Sequence, residues 1–301
     1  MKQIDFSKKH DVLIKNKDGS LRPMDEPYYE VYDEGCGVYR IGSDGDFHYL
    51  VIGEDEAVAV DTGYGAGNTR QFLQTLTDKP VKNVLNTHYH FDHTANNVYF
   101  DNAYMTVESI PLASVPYPSF DGIEIPRDYS KIIIREGDRI ELGGRSLEVY
   151  EMGCHAVGSV VFLDRKNRIL FTGDEFGHYC NISGSIKKFV KNMEKILTIR
   201  SEFDFCYGGH GKFDASYVER CLALGRDILA GSIDLMNQPA RRHREEKKSI
   251  NVCEDVTVYE RFSPRPGDKP KKGEFNVLVT GHGVKISYDT RNINETKVYL
   301  G

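Results

Sequence analysis

Short runs of β-branched and aromatic residues are interrupted by stretches of helical periodicity along this 301-residue chain. Apolar runs at 37–41, 47–52 and 57–60, with glycine and aspartate between them, predict three strands in quick succession and an antiparallel start. A helix is predicted over 68–77, closed by Lys79-Pro80, then a buried strand over 81–85 and a short helix over 93–98. Strands resume at 132–135, 139–142 and 146–151, with Gly143-Gly144 as a hairpin turn. Runs at 160–163 and 168–171 flank a second hairpin turn at 164–167. Ile186, Phe189, Val190, Met193, Ile196 and Leu197 recur at helical spacing, with Lys187, Lys188, Lys191 and Lys195 on the other face. A strand at 204–207 leads into a second amphipathic helix marked by Val218, Cys221, Leu222, Ile228 and Leu229, with Asp214 as its N-cap candidate. Periodicity alone therefore predicts a mixed α and β chain.

Three stretches fall outside this pattern. Residues 1–34 are polar and read as an arm lying over the domain. Residues 109–129 scatter prolines among apolar residues, which excludes a regular helix or central strand and leaves a packed connection or a lid. Residues 233–301 carry a mixed charge run at 241–248, a loop at 263–273 and short strand signals at 256–261, 275–280, 284–288 and 297–300. They predict a small β appendage packed on the same domain, for substrate selection or dimer contact.

Composition narrows the function classes. The chain is 40% hydrophobic and 28% charged, as in an ordinary globular protein. A net charge of −6 gives no basic excess for nucleic acid. No apolar run reaches membrane-spanning length, and the N-terminus shows no export signal, so a cytoplasmic protein is expected. The six cysteines, at 36, 154, 180, 206, 221 and 253, form no CxxC pair and are expected as reduced thiols. Cys154 adjoins a candidate ligand and reads as a small packing residue.

The chemistry is concentrated in Thr87-His-Tyr-His-Phe-Asp-His93, with four potential metal ligands inside six residues. Three further stations follow: His155, Asp174 in Phe-Thr-Gly-Asp, and His210 in Gly-Gly-His-Gly; Asp61 precedes them. Imidazole and carboxylate suit zinc, iron and manganese alike. His88 and His90, two residues apart in an extended segment, share a face and can point at one ion. Asp92 and His93 can reach a second ion, and Asp174 has two oxygens with which to bridge. Two cations about 3.5–4 Å apart can share a water, deprotonate it near neutral pH and polarise a carbonyl oxygen. Tyr89 and Phe91 alternate with the ligands and are expected to pack.

This pattern, over residues 35–232, resembles the metallo-β-lactamase superfamily. The resemblance implies an α/β (α+β) fold, a four-layer αβ/βα sandwich, with 35–232 as the catalytic domain. It assigns His88, His90 and His155 to a first metal, Asp92, His93 and His210 to a second, and Asp174 to the bridge. Asp61 would support the metal loop from behind without being a ligand. Cys154 and Ala156-Val157 depart from the family's usual Gly before and Thr-Pro after the third histidine, which bears on the shape of that loop.

The function implied is metal-dependent hydrolysis. A hydroxide held between two divalent ions, zinc first with iron or manganese as alternatives, would attack a small-molecule lactone, ester or thioester. Asp92 and Asp174 are the expected catalytic carboxylates, with Asp92 orienting the nucleophile and passing a proton to the leaving group. His178 and Tyr179 are substrate-contact candidates, and Tyr64 a weaker one. The alternative is an iron-dependent oxidoreductase similar to the mononuclear iron dioxygenases. The flavin-linked diiron branch usually has Glu where His90 stands. A glutathione thioester would need a basic cluster that the sequence does not display. A homodimer is the one protein partner left open; neither nucleic acid nor membrane is expected.

Overall fold

A computed structural model describes residues 13–15, 20–23, 29–43, 46–63, 67–113, 129–233, 251–253, 256–257 and 276–294. Its centre is a pair of facing sheets. The first has seven strands in sequential order: β3 (Glu30–Gly35), β4 (Val38–Ser43), β5 (Asp46–Ile52), β6 (Ala57–Val60), β7 (Val81–Leu85), β8 (Asn102–Met105) and β9 (Ser130–Ile133). β3 to β6 are antiparallel, and β6 to β9 are parallel. The second has six: β10 (Arg139–Glu141), β11 (Ser146–Glu151), β12 (Val160–Asp164), β13 (Ile169–Gly173), β15 (Phe205–Gly208) and β16 (Gly211–Asp214). Helix α3 (Ile186–Leu197) makes the crossover that lets β15 lie parallel to β13.

Alternation of side chains across each sheet gives three apolar layers. Val51, Val58, Leu85, Val149, Phe162 and Phe171 meet between the sheets. Leu50, Ala59, Val84 and Phe100 cover the outer face of the first sheet together with Leu73 of α1 (Thr69–Gln74). Val161, Leu163, Leu170 and Cys206 face outward from the second sheet onto α3 and α4 (Ser216–Leu229). The architecture is the four-layer αβ/βα sandwich. The buried Arg145–Asp164 pair fastens one rim of it, with Arg145 Nη1 donating at 2.9 Å to the carbonyls of Cys36 and Ile52 in the first sheet. Truncating a core aromatic such as Phe162 would cost about 3–5 kcal/mol.

Several sequence expectations change. Residues 30–34, placed in the arm, belong to the edge strand β3, because its half-buried residues alternate with exposed ones as an edge requires. β8 and β16 carry too few β-branched residues to announce themselves; pairing with stronger neighbours makes them strands. Asp214 ends β16 and does not cap α4; it accepts from the Ser216 N–H at 3.0 Å, while Ala215 occupies the cap position. The helix expected over 93–98 splits into α2 (Phe91–Thr94) and a single 3₁₀ turn at Asn97–Tyr99.

The C-terminal strands β19 (Asn276–Gly281) and β20 (Val284–Asp289) form a hairpin. β20 also pairs, in parallel, with β14 (Cys180–Asn181), and Val279, Ile286 and Tyr288 join the apolar layer of α3 and α4. Two further short pairs are β1 (Leu13–Lys15) with β2 (Leu21–Pro23) and β17 (Asn251–Cys253) with β18 (Val256–Thr257). Tyr64, the core of the proline-rich stretch at 114–128, the charge run at 241–248, the loop at 263–273 and the strand signal at 297–300 lie outside the described residues. Among the described residues no helix is long and apolar enough to cross a membrane.

Candidate metal centre

The candidate ligands converge at one rim of the sandwich, where strand ends from both sheets meet. Asp61 directly follows β6, β7 delivers Thr87 and His88, α2 carries Asp92 and His93, Asp174 directly follows β13, and His210 lies in the turn between β15 and β16. The loop after β11 brings His155. Parallel strands end at the same rim, so residues scattered over 150 positions of sequence become neighbours.

Two pockets result. In the first, one nitrogen from each of His88, His90 and His155 lies within 4.8 Å of the others. His155 Nε2 is 3.1 Å from His90 Nδ1. In the second, His93 Nε2 is 3.6 Å from Asp92 and 3.4 Å from Asp174 Oδ1, while His210 Nε2 is 3.1 Å from Asp174 Oδ2. Asp174 thus touches both pockets, its Oδ2 also lying 3.7 Å from His155 Nε2. The rings crowd closely: the His88 centroid is 4.0 Å from that of His93 and 4.5 Å from that of His90.

Partners behind the rings set which nitrogen faces inward. His93 Nδ1 meets Asp61 Oδ2 at 2.8 Å, His210 Nδ1 meets Asp46 Oδ1 at 2.8 Å, and His155 Nδ1 meets the Asn181 carbonyl at 3.1 Å. His88 Nδ1 is 3.0 Å from Thr87 Oγ1. Asp61 also accepts from Thr87 N at 2.8 Å and Thr87 Oγ1 at 2.7 Å. It adopts a left-handed backbone (φ 61°), which aspartate tolerates better than most residues. Glycine is required beside the site: a Cβ on Gly209 would lie 2.3 Å from Asp174 Oδ1 and 2.8 Å from the His93 ring.

The donor set fits bound cations. His88 Nε2 is buried without a hydrogen-bond partner among the described residues, while His93 Nε2 and Asp174 Oδ1 face each other at 3.4 Å. A buried atom like His88 Nε2 costs about 1–3 kcal/mol when left unpaired. Charges adjust accordingly. Burial and the nearby positive His93 hold His88 well below the usual histidine range. Burial opposes protonation of His93 too, but Asp61, Asp174 and Asp92 outweigh it and hold that imidazole well above the range. For His210, burial is overcome by hydrogen bonds to Asp174 and Asp46, which push it up to about 11. Burial would raise Asp174, yet His93 and His210 keep it well below the usual carboxylate range. Burial raises Asp92 to about 6, with His93 opposing.

The sequence reading did not identify Asp46, Glu175 or Asn181. Glu175 is fully buried and its Oε1 accepts from Cys154 N at 3.1 Å, His155 N at 3.0 Å and the Ser159 hydroxyl. Its adjacency to Asp174 was the one available signal; Asp46 and the Asn181 carbonyl carried none. His178 lies apart from the clustered ligands, exposed, its ring edge-on to Phe213 at 6.3 Å, with Tyr179 half-buried beside it. Cys154 is buried against Asn192, which donates to its sulfur at 3.1 Å. Phe91 is buried, and Tyr89 packs on the apolar layer of the first sheet.

Residues 47–231 match the family model of the metallo-beta-lactamase superfamily. An acyl-coenzyme A thioesterase of Homo sapiens is 28% identical over 157 residues, covering 42% of this chain and 56% of that relative. The acyl-coenzyme A thioesterase of Gallus gallus is 25% identical over 219 residues, covering 60% of this chain and 77% of that one. The solved structure of a metallo-beta-lactamase from Pontibacter korlensis superposes with a TM-score of 0.52 at 20% identity, over 66% of this chain and 100% of that one.

Proposed function

The chain belongs to the metallo-β-lactamase superfamily, and from that premise we propose that it is a metal-dependent hydrolase of acyl thioesters, with coenzyme A thioesters as the first substrate class. The observation that carries the hydrolytic reading is the set of adjoining His and Asp clusters in which Asp174 lies within 3.7 Å of His93, His155 and His210. The thioester choice, among the lactones, esters and thioesters the chemistry allows, is supported by similarity to acyl-coenzyme A thioesterases.

His88, His90 and His155 would hold one ion, Asp92, His93 and His210 the other, and Asp174 would span them. Divalent ions there, zinc first with iron or manganese as alternatives, supply the Lewis acidity that makes water nucleophilic near neutral pH and polarises a carbonyl. The protein's own part is orientation and proton handling. Asp61 and Asp46 fix the rings of His93 and His210, and such supporting partners commonly change metal affinity about 10–100-fold. Asp92, turned into the same pocket, can orient the nucleophile and pass its proton to the departing thiolate. Asp92→Asn should therefore lower turnover more than it raises KM.

The test is to strip the protein with a chelator and refill it with zinc or iron, under nitrogen and under air. Release of free thiol from acyl-coenzyme A is followed beside lactone and ester substrates. Zinc-supported cleavage under nitrogen is the expected result, because zinc has no redox chemistry to lose. Activity only with iron and oxygen would overturn the reading in favour of an iron-dependent oxidoreductase. Lactone or ester turnover well above thioester turnover would overturn the substrate class.

A further inference from the structure

Beside the metal centre lies a second concavity, a cleft of about 470 Å³ between the Gly177–His178 turn, β16, α4 and the β19–β20 hairpin. We infer that it holds the phosphorylated nucleotide end of the coenzyme A thioester, a proposal that rests on the thioester reading above. Its lining includes His178, Phe213, Tyr217, Arg220 and Lys285. It adjoins the reaction site directly: a Cβ on Gly177 would be 3.9 Å from the His210 ring, and Phe213 follows His210 by three residues on β16. The volume is within the range of about 300–1,000 Å³ usual for small-molecule sites.

Three features select the occupant. The first is charge. The chain as a whole carries −6, yet two permanent cations, Arg220 and Lys285, converge on this cleft from a helix and a hairpin far apart in sequence. Asp214 takes up one edge of the Arg220 guanidinium at 3.2 Å, but Arg220 Nε is buried with no hydrogen-bond partner among the described residues. Lys285 makes no ion pair among them. The exposed part of the Arg220 guanidinium beside the exposed Lys285 ammonium suits a phosphate, which supplies several oxygens to both.

The second feature is an aromatic wall. Phe213 lies 4.6 Å from Tyr217, tilted by 36°, and the exposed His178 ring stands edge-on to Phe213. A purine ring can lie against such a surface. The third is that the walls are fixed. Tyr217 donates its hydroxyl proton to the Gly177 carbonyl at 2.5 Å, and His282 at the hairpin tip meets Asp227 of α4 at 2.7 Å. An acyl chain at the metal centre and a nucleotide in this cleft would be joined by the intervening pantetheine arm.

The experiment uses the full chain in two arms. The first measures binding of coenzyme A and of its nucleotide fragment by calorimetry, at low and high salt. The second compares kcat/KM for an acyl-coenzyme A with that for the same acyl group on pantetheine and on glutathione. Arg220→Gln and Lys285→Gln are tested separately; Lys285 is exposed on the hairpin, so its variant keeps the test open if the other fails to fold. The nucleotide fragment should bind, more weakly at high salt. The acyl-coenzyme A preference over acyl-pantetheine should shrink about tenfold with each lost phosphate contact.

Nucleotide binding that both variants lose, without any thioester cleavage, would sustain the cleft and sink the thioester reading. Thioester cleavage without nucleotide binding, and with the preference unchanged in both variants, would sink the cleft and leave the thioester reading standing. Preference for the glutathione thioester, abolished by the variants, would replace the nucleotide as occupant.

Discussion

The two halves of the candidate metal centre share Asp174 but differ in what stands behind them. The His88, His90 and His155 pocket is backed by neutral groups, the Thr87 hydroxyl and the Asn181 carbonyl. The Asp92, His93 and His210 pocket is backed by carboxylates, Asp61 on His93 and Asp46 on His210. Without an ion, His88 is therefore driven toward its neutral form by burial, whereas His93 and His210 keep their protons against burial. In the first pocket, His88 is already deprotonated for a cation. The second is held together by ion pairs, and a cation must displace protons to enter.

Removing the shared group should have the largest effect. Asp174→Ala should reduce metal content below two ions per chain and lower turnover on the order of 10³-fold, since both charge neutralisation and positioning are lost. Elemental analysis that still finds two tightly held ions would show that the pockets do not depend on Asp174.

The next test separates the pockets. Asp46→Asn should weaken the second ion about 10–100-fold while leaving the first in place. In the unaltered protein the second ion's affinity should rise about tenfold per pH unit for each proton displaced, because binding competes with protonation below the folded pKa of about 11 for His210. The first ion's affinity should rise less steeply with pH, because His88 brings no proton to displace. Chelator competition at several pH values measures both, and equal slopes would erase the distinction.

Glu175 tests the support of the first pocket. Glu175→Ala would leave the Cys154 and His155 N–H groups and the Ser159 hydroxyl without their acceptor, at roughly 1–3 kcal/mol per buried donor. Denaturant unfolding should show the loss, with weaker loading of the His155 pocket beside it. An unchanged midpoint would mean that water replaces the carboxylate without cost.

The smallest predicted effect concerns His48, fully buried near the second pocket. Burial, with the nearby positive His93 adding to it, lowers its pKa to about 3. The unfolded chain takes up a proton near pH 6.5 and the folded chain does not, so stability is present above 6.5 and lost as pH falls toward 3. Between pH 6.5 and 5 the loss is about 2 kcal/mol. His48→Phe should remove that slope in paired melts, and an unchanged slope would assign it to other groups.

Much of the fold was legible because apolar periodicity reports which face of an element is buried. The spans 57–60, 81–85 and 146–151 coincide with β6, β7 and β11, and the 186–197 stripe coincides with α3. β8 and β16 were not legible, because their strand character comes from neighbouring ladders and not from their own residues. The ligand candidates stood out for a related reason: one short loop must present several side chains to one point, so His88, His90, Asp92 and His93 are compressed into six positions.

The sequence by itself determined the order and spacing of the candidate donors and the family to which the chain belongs. Tertiary structure alone decided what lies behind and beside them. Asp46 reaches His210 across the two sheets, and the Asn181 carbonyl turns His155, through contacts between residues 164 and 26 positions apart. Arg220 and Lys285 meet at one cleft although they stand 65 positions apart along the chain. Local spacing encodes what a loop or a helix face can present. Contacts across the sandwich depend on strand order and register, which packing of the whole apolar core settles.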